Sequence, residues 1–223
     1  MEANNNKEGQ LQIKVFECNM FGENTYIVSD SSNECVIIDC GALYSGEFQA
    51  MSEYIRSNNL RPVHLLATHG HVDHHFGDND VLETYGLKAE MSEADLGQLT
   101  TVKEQAKERF HLDIDLNFPI PETFIEDEDV IKFGNHQFSV ISTPGHSPGS
   151  VCFYEKEEQV LFTGDTLFKG SIGRTDFPGG SMFQIINSLR FLAQLPDETK
   201  LYPGHGEPTT IGFEVAHNPY MDR

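Results

Sequence analysis

Basic residues are scarce in this chain of 223 residues: 15 Lys and Arg stand against 35 Asp and Glu, a formal net charge of −20. Such a field repels polyanions. It excludes a nucleic-acid partner, whose phosphates need basic surface. No apolar run reaches the length of a membrane span, so no membrane partner is expected. Cysteines number only four, at positions 18, 35, 40 and 152, and none has C-x-x-C spacing. Cys35, Cys40 and Cys152 sit in or beside apolar strand-like runs, where a free thiol behaves as a small hydrophobe. None reads as a nucleophile. The segment Met1–Glu8 is polar and lacks the apolar core of a signal peptide. Residues 1–10 are therefore expected to be a flexible tail and 11–223 a single domain, with reduced thiols in the cytoplasm. The hydrophobic fraction of 38% suits a soluble globular chain long enough for a proper core.

Against these absences stands one dense segment. Thr68-His69-Gly70-His71-Val72-Asp73-His74 follows the apolar run Val63–Ala67. Imidazole nitrogen and carboxylate oxygen are the usual ligands of zinc and other borderline divalent metals. A string of this density can give two ligands to one ion and two to its neighbour. Three later segments offer one candidate each, in Gly- or Pro-bearing turns after strand-like runs: His146 in Thr143–Ser150, Asp165 in Thr163–Thr166, and His205 in Tyr202–Gly206. Loops at strand ends are where a scaffold presents catalytic groups. If the strand ends lie together, the four segments converge.

The pattern, from Ile37-Ile38-Asp39-Cys40-Gly41 to His205, resembles the metallo-β-lactamase superfamily. That resemblance implies an α/β four-layer αββα sandwich. It implies two divalent metal ions, zinc foremost, with iron or manganese as alternatives. His69, His71 and His146 would hold the first ion, and Asp73, His74 and His205 the second. Asp165 would bridge both, and Asp39 would orient a ligand without binding metal. Cys40 stands where Pro is common, which reads as a packing variation. Asp73 and Asp165 take the catalytic roles, around a hydroxide between the ions that attacks an acyl carbonyl. In single-zinc sites a bound water falls from pKa 15.7 to about 7.

Within the superfamily the set is most similar to compact glyoxalase II-like hydrolases, whose substrate is a small-molecule thioester. The loop Phe168–Gly180 resembles the G-R-T-D-F loop of these hydrolases and of persulfide dioxygenases, and should lie beside the metals. Arg174 and Lys169 are candidate anchors for a substrate carboxylate. Arg174 could equally pair with Asp176 and only shape the loop. Only residues 206–223 follow His205, too few for the helical segment that grips glutathione in longer members. The alternatives differ in class: a mononuclear iron persulfide dioxygenase using His69, His146 and Asp165, a metal-stabilised binding module, or a lactonase or β-lactamase. The open, Gly-flanked ligand set argues against a structural metal module.

His64, His75, His111, His136 and His217 carry no motif and are expected to be ordinary surface or core residues. Strands are expected at Leu11–Phe16, Asn24–Val28, Glu34–Asp39, Val63–Ala67, Leu87–Glu90, within Pro121–Phe133, and at His136–Ile141, Ser150–Tyr154, Gln159–Phe162 and Thr199–Tyr202. Helices are expected over Ser45–Ser57, from Asp73 or His74 to about Tyr85, over Ser92–Phe110 with a Ser92/Asp95 capping box, and over Met182–Leu195. Asp113–Pro121 reads as loop.

Overall fold

The computed structural model describes residues 9–101, 103, 107 and 117–221. One six-stranded sheet runs in the order β1 (Gln12–Cys18), β2 (Glu23–Ser29), β3 (Glu34–Ile38), β4 (Arg61–Leu66), β5 (Ala89–Met91) and β6 (Thr123–Phe124). The second contains β7 (Val130–Phe133), β8 (His136–Ser142), β9 (Val151–Glu155), β10 (Val160–Gly164), β13 (Lys200–Pro203) and β14 (Thr209–Thr210), ordered β14-β13-β10-β9-β8-β7. Between β10 and β13 lies a small hairpin, β11 (Leu167–Phe168) with β12 (Ser171–Ile172).

Alternation along the central strands builds three apolar layers, because successive side chains point to opposite faces. Cys35 and Ile37 of β3 face outward, onto Met51 and Ile55 of α1 (Ser45–Ser57) and Val81 of α2 (Asp78–Tyr85). Val36 and Ile38 face inward and meet Phe138, Phe153 and Phe162 of the other sheet. In that sheet Cys152 and Leu161 turn the other way, onto Leu189 and Leu192 of α4 (Met182–Leu192) and Ile211 of α5 (Ile211–His217). Helix, sheet, sheet and helix thus stack as the expected αββα sandwich. Aromatic rings knit this layer: Tyr26 of the first sheet meets Phe162 of the second edge to face at 5.1 Å, and within the second sheet Phe138 meets Phe162 at 5.7 Å. Truncating a buried Phe of this kind costs about 3–5 kcal/mol.

Helix α1 matches its expected bounds. Met51 and Ile55 are buried, and Phe48 and Tyr54 pack against the same cluster. Two expectations fail. The helix drawn from Asp73 or His74 is broken: a 3-10 turn, Val72–His74, precedes α2, which starts only at Asp78. The chain between them is held to the β3 exit by backbone bonds from Cys40 N–H to His74 O and from Gly77 N–H to Cys40 O, both 2.8 Å. The Ser92/Asp95 capping box is absent. Ser92 makes no side-chain cap bond, the chain enters through a 3-10 turn at Glu93–Asp95, and Asp95 turns elsewhere. That turn leads into α3 (Leu96–Thr100). Most of the remaining span expected as helix to Phe110, the start of the Asp113–Pro121 loop, His111, and residues 1–8 of the expected tail lie outside the described residues. At residue 9 the Gly9 carbonyl lies 2.7 Å from Nε2 of His136. Helix α5 and strand β14 went unforeseen; Thr210 caps α5, accepting from Phe213 N–H at 3.2 Å. Among the described residues no helix is long and apolar enough to cross a membrane.

Candidate metal centre

Strand direction decides where the ligands meet. In the first sheet β3 and β4 run parallel, so Asp39 and His69 leave at the same end. In the second, β8 and β10 are each antiparallel to β9, and β10 is parallel to β13. His146, Asp165 and His205 therefore also leave at one end. Backbone bonds join the two ends: Val151 N–H to Thr68 O at 2.9 Å, and Asn24 N–H to Gly204 O at 2.7 Å. Asn24 Nδ2 adds bonds to the carbonyls of Pro203 and Gly206.

All seven expected ligands come together there. Among the described residues the expected ligands form three groups whose ligand atoms lie within 4.8 Å of one another: His69, His71 and His146; Asp73, His74 and His205; and His69, His74 and Asp165; Glu23, Asp39 and His74 make a fourth. Asp165 Oδ1 lies 3.5 Å from His74 Nε2, while Oδ2 lies 3.5 Å from His146 Nε2 and 3.7 Å from His205 Nε2. Asp73 Oδ2 stands 3.3 Å from His205 Nε2. A side chain at Gly204 would place its Cβ 2.3 Å from Asp165 Oδ1, so glycine is what admits the carboxylate.

The far nitrogens of four imidazoles are tethered, which fixes ring orientation. His74 Nδ1 faces Asp39 Oδ2 at 2.9 Å. His69 Nδ1 meets Thr68 Oγ1 at 3.0 Å, and His146 Nδ1 meets the Arg174 carbonyl at 2.8 Å. His205 Nδ1 reaches the carbonyls of Phe21 and Gly22. Asp39 occupies the left-handed region at φ 54°, a conformation Asp tolerates better than most residues. From there it also accepts from Thr68 N–H at 2.7 Å and from Thr68 Oγ1 at 2.9 Å. Such local strain is kept where a site needs it.

Three of the near atoms are left over. His69 Nε2, His74 Nε2 and Asp165 Oδ1 are buried with no hydrogen-bond partner. Buried polar atoms without partners are costly, and their convergence fits a cation. His71 Nδ1 and His146 Nε2 point at each other at 2.7 Å, as two ligands of one ion would. Burial first, and the neighbouring imidazoles next, push His69 well below the ordinary imidazole value. Burial and then His146 bring His71 to about 3. For Asp165 burial works upward, but His74 and His205 outweigh it and hold the carboxyl far below its usual range. Asp73 is lowered too: burial works upward there, and His74 with His205 prevails. Lone pairs and ionised carboxylates are what metal binding requires. At His74 burial works downward, yet Asp39, Asp165 and Asp73 raise it well above normal; a positive charge is favoured at that spot. The donor set, histidine nitrogen with carboxylate oxygen, suits zinc, iron or manganese.

His75 is not part of the cluster. It is buried, with Nδ1 on Asp78 Oδ2 at 2.8 Å and Nε2 on the His69 carbonyl at 2.9 Å. It braces a ligand loop from behind. Glu23, unforeseen from the sequence, lies fully buried behind the second group. Its Oε2 accepts from Thr25 at 2.8 Å, while Oε1 has no partner and stands 4.0 Å from His74 Nδ1. Burial pushes its carboxyl well up. A single Glu opening an apolar strand carries no motif that could have marked it.

Phe168–Gly180 does lie beside the cluster: Phe168 meets the His205 ring at 6.1 Å and Phe177 the His71 ring at 5.7 Å. The Arg174 guanidinium sits over Phe177 at 3.8 Å and forms a two-pronged pair with Asp176, at 2.7 and 2.8 Å. Lys169 pairs with Glu207 at 2.6 Å. Both cations are substantially exposed.

Two stacked sheets carrying this histidine–aspartate cluster at their joined ends match a known architecture. The family model of the metallo-β-lactamase superfamily fits residues 19–205, and the chain belongs to that superfamily. A hydroxyacylglutathione hydrolase, GloC, of Haemophilus influenzae is 35% identical over 215 residues, covering 95% of this chain and 99% of the relative. Among solved structures, the B3 metallo-β-lactamase BLEG-1 superposes with a TM-score of 0.84 at 32% identity, covering 94% of this chain and 99% of that one. TTHA1623, solved in a di-iron-bound form, gives 0.83 at 33% identity, with 93% and 100% covered.

Proposed function

We propose that this metallo-hydrolase cleaves a thioester of the hydroxyacylglutathione kind at a centre of two metal ions. The observation that carries the reading is the placement of Asp165, one carboxylate oxygen toward His74 and the other toward His146 and His205. His69, His71 and His146 would hold one ion, Asp73, His74 and His205 the other, and Asp165 both. When bound, such ions act as Lewis acids and make hydroxide available at neutral pH.

The protein's own residues do the rest. Asp165 and Asp73, both held ionised, can accept hydrogen bonds from the attacking water and orient it. Asp39 keeps His74 turned inward. The exposed Arg174, resting on Phe177 at the rim of the His71 ring, can exchange Asp176 for a substrate carboxylate, with Lys169 on the same loop as a second anchor. A protein thiolate has no part: burial raises Cys18, Cys35 and Cys152 to about 12 and Cys40 well above its normal value. The kinship with GloC over nearly the whole of both chains supports the thioester.

The test is the rate on S-D-lactoylglutathione with metal-replete protein, against a chelator-treated control. A chelator-sensitive kcat/KM of about 10⁴ M⁻¹s⁻¹ or more, an ordinary enzyme's range, is expected. A negligible rate, alongside oxygen uptake with a persulfide substrate and iron in the protein, would replace the hydrolase with the oxidative alternative.

A further inference from the structure

Asp95 belongs to none of the metal-binding motifs, yet it is fully buried at the centre of a bonding pattern. Its Oδ2 accepts from Gly70 N–H at 2.9 Å and from Ser147 Oγ at 2.6 Å. Oδ1 accepts from Gly149 N–H at 2.7 Å and from Gln98 Nε2 at 3.3 Å. Gly70 stands between His69 and His71, and Ser147 follows His146. One carboxylate therefore ties together the two loops that carry His69, His71 and His146. Those loops leave different sheets, one after β4 and the other after β8.

The surroundings are shaped around this group. A Cβ at Gly70 would lie 2.8 Å from the Asp95 carbonyl oxygen, and one at Gly149 would lie 2.7 Å from Asp95 Cγ. Larger residues at either place would force Asp95 out. Burying a carboxylate is expensive unless its oxygens are satisfied, and here four donors converge on two oxygens. A carboxylate can accept at both oxygens from both loops at once; an amide or an apolar side chain cannot.

We propose that Asp95 is a positioning residue for the metal site formed by His69, His71 and His146, setting the gap between the two loops so that their imidazole nitrogens converge. The inference rests on the reading of this cluster as a metal centre, but not on the identity of the substrate. It assigns Asp95 to one site of the pair; the Asp73–His74–His205 group receives none of its bonds.

Metal-free protein titrated with Co²⁺ tests the idea, with visible absorption and bound equivalents as readouts. Wild type should take up two equivalents. Asp95→Asn keeps the shape but turns an NH₂ toward donors, so it should bind one equivalent at wild-type affinity and the other about 10–100-fold more weakly, the usual penalty for losing an outer-shell partner. The spectrum of its tight-binding equivalent should match that of singly loaded His146→Ala and differ from that of Asp73→Ala. Ser147→Ala, a milder change, should weaken the same equivalent by a smaller factor and keeps the test available if Asp95→Asn fails to fold. Two wild-type affinities in the folded variants, or an equal loss at both sites with a matching drop in melting temperature, would overturn the assignment. A wild-type chain that binds no Co²⁺ would overturn it together with the metal-centre reading. Two bound equivalents with no thioester hydrolysis would leave it standing and remove only the proposed substrate.

Discussion

The main-chain carbonyl of Arg174 accepts from Nδ1 of His146 at 2.8 Å. The loop expected to meet substrate thus also sets the angle of a ring in the histidine–aspartate cluster, and it does so through backbone. The guanidinium is free of that task. It pairs with Asp176 and lies on Phe177.

This separation makes Arg174→Ala informative. The carbonyl survives the change, so metal content and kcat should stay within about twofold of wild type. KM for a carboxylate-bearing thioester should rise about tenfold, near 1.4 kcal/mol, as loss of uniform binding requires. Steady-state kinetics on purified variants would check it. An unchanged KM would mean that the Asp176 pair only shapes the loop.

Asp165 touches both ligand groups, so its removal should be felt at both. Asp165→Ala should lose bound metal and activity together, with kcat/KM down at least ~10³-fold, the scale of losing a principal electrostatic group. His71→Ala should behave likewise through one group. Elemental analysis paired with activity provides the check. Full turnover by either variant would end the metal-centred mechanism.

Metal removal should also weaken the fold. His69 Nε2 and His74 Nε2 are buried and partnerless without a cation, and a ligand that binds only the folded state stabilises by mass action. At free metal about 1,000-fold above Kd that amounts to ~4 kcal/mol. For a chain of this size it corresponds to about 8–16 °C in Tm. Calorimetry of metal-free and reloaded protein would measure the gap; equal melting temperatures would deny the cluster any cation.

The clustering of these histidines and aspartates was legible in the sequence because each sits in a short motif after an apolar run, and strand ends fix where such motifs meet. His69, His71, Asp73 and His74 needed only their spacing. Asp95 and Glu23 were illegible for the opposite reason. What gives each its place is distant in sequence, the Gly149 N–H for Asp95 and the neighbouring His74 ring for Glu23, so no local pattern marks them. Asp95 even has the local form of a capping-box partner to Ser92, three residues before it; donors from two distant loops take its carboxylate instead. The break before α2 was hidden likewise. Helical periodicity runs through it, but the chain there turns in i to i−3 bonds and is tied by backbone to Cys40. Strands of the sandwich centre were within a residue or two, since their apolar runs are set by burial on both faces.

A last expectation concerns a histidine outside the centre. His64 Nδ1 lies 2.6 Å from Glu90 Oε1 across β4 and β5, and Nε2 lies 3.2 Å from the Lys132 carbonyl. The Glu90 hydrogen bond raises the His64 pKa; burial opposes it, and Lys132 O and the more distant Glu34 add to the rise. A folded pKa above the unfolded value means that the folded state binds the proton more tightly. The added stability is therefore complete below the unfolded pKa of about 6.5 and is lost as pH rises through the folded value. His64→Gln should cost roughly 1 kcal/mol more at pH 5.5 than at pH 9, a size suited to a partly exposed charge-assisted pair. Urea unfolding of both proteins at the two pH values would show it. A cost that is the same at both, or larger at pH 9, would mean that His64 is neutral in its pair and contributes only by packing.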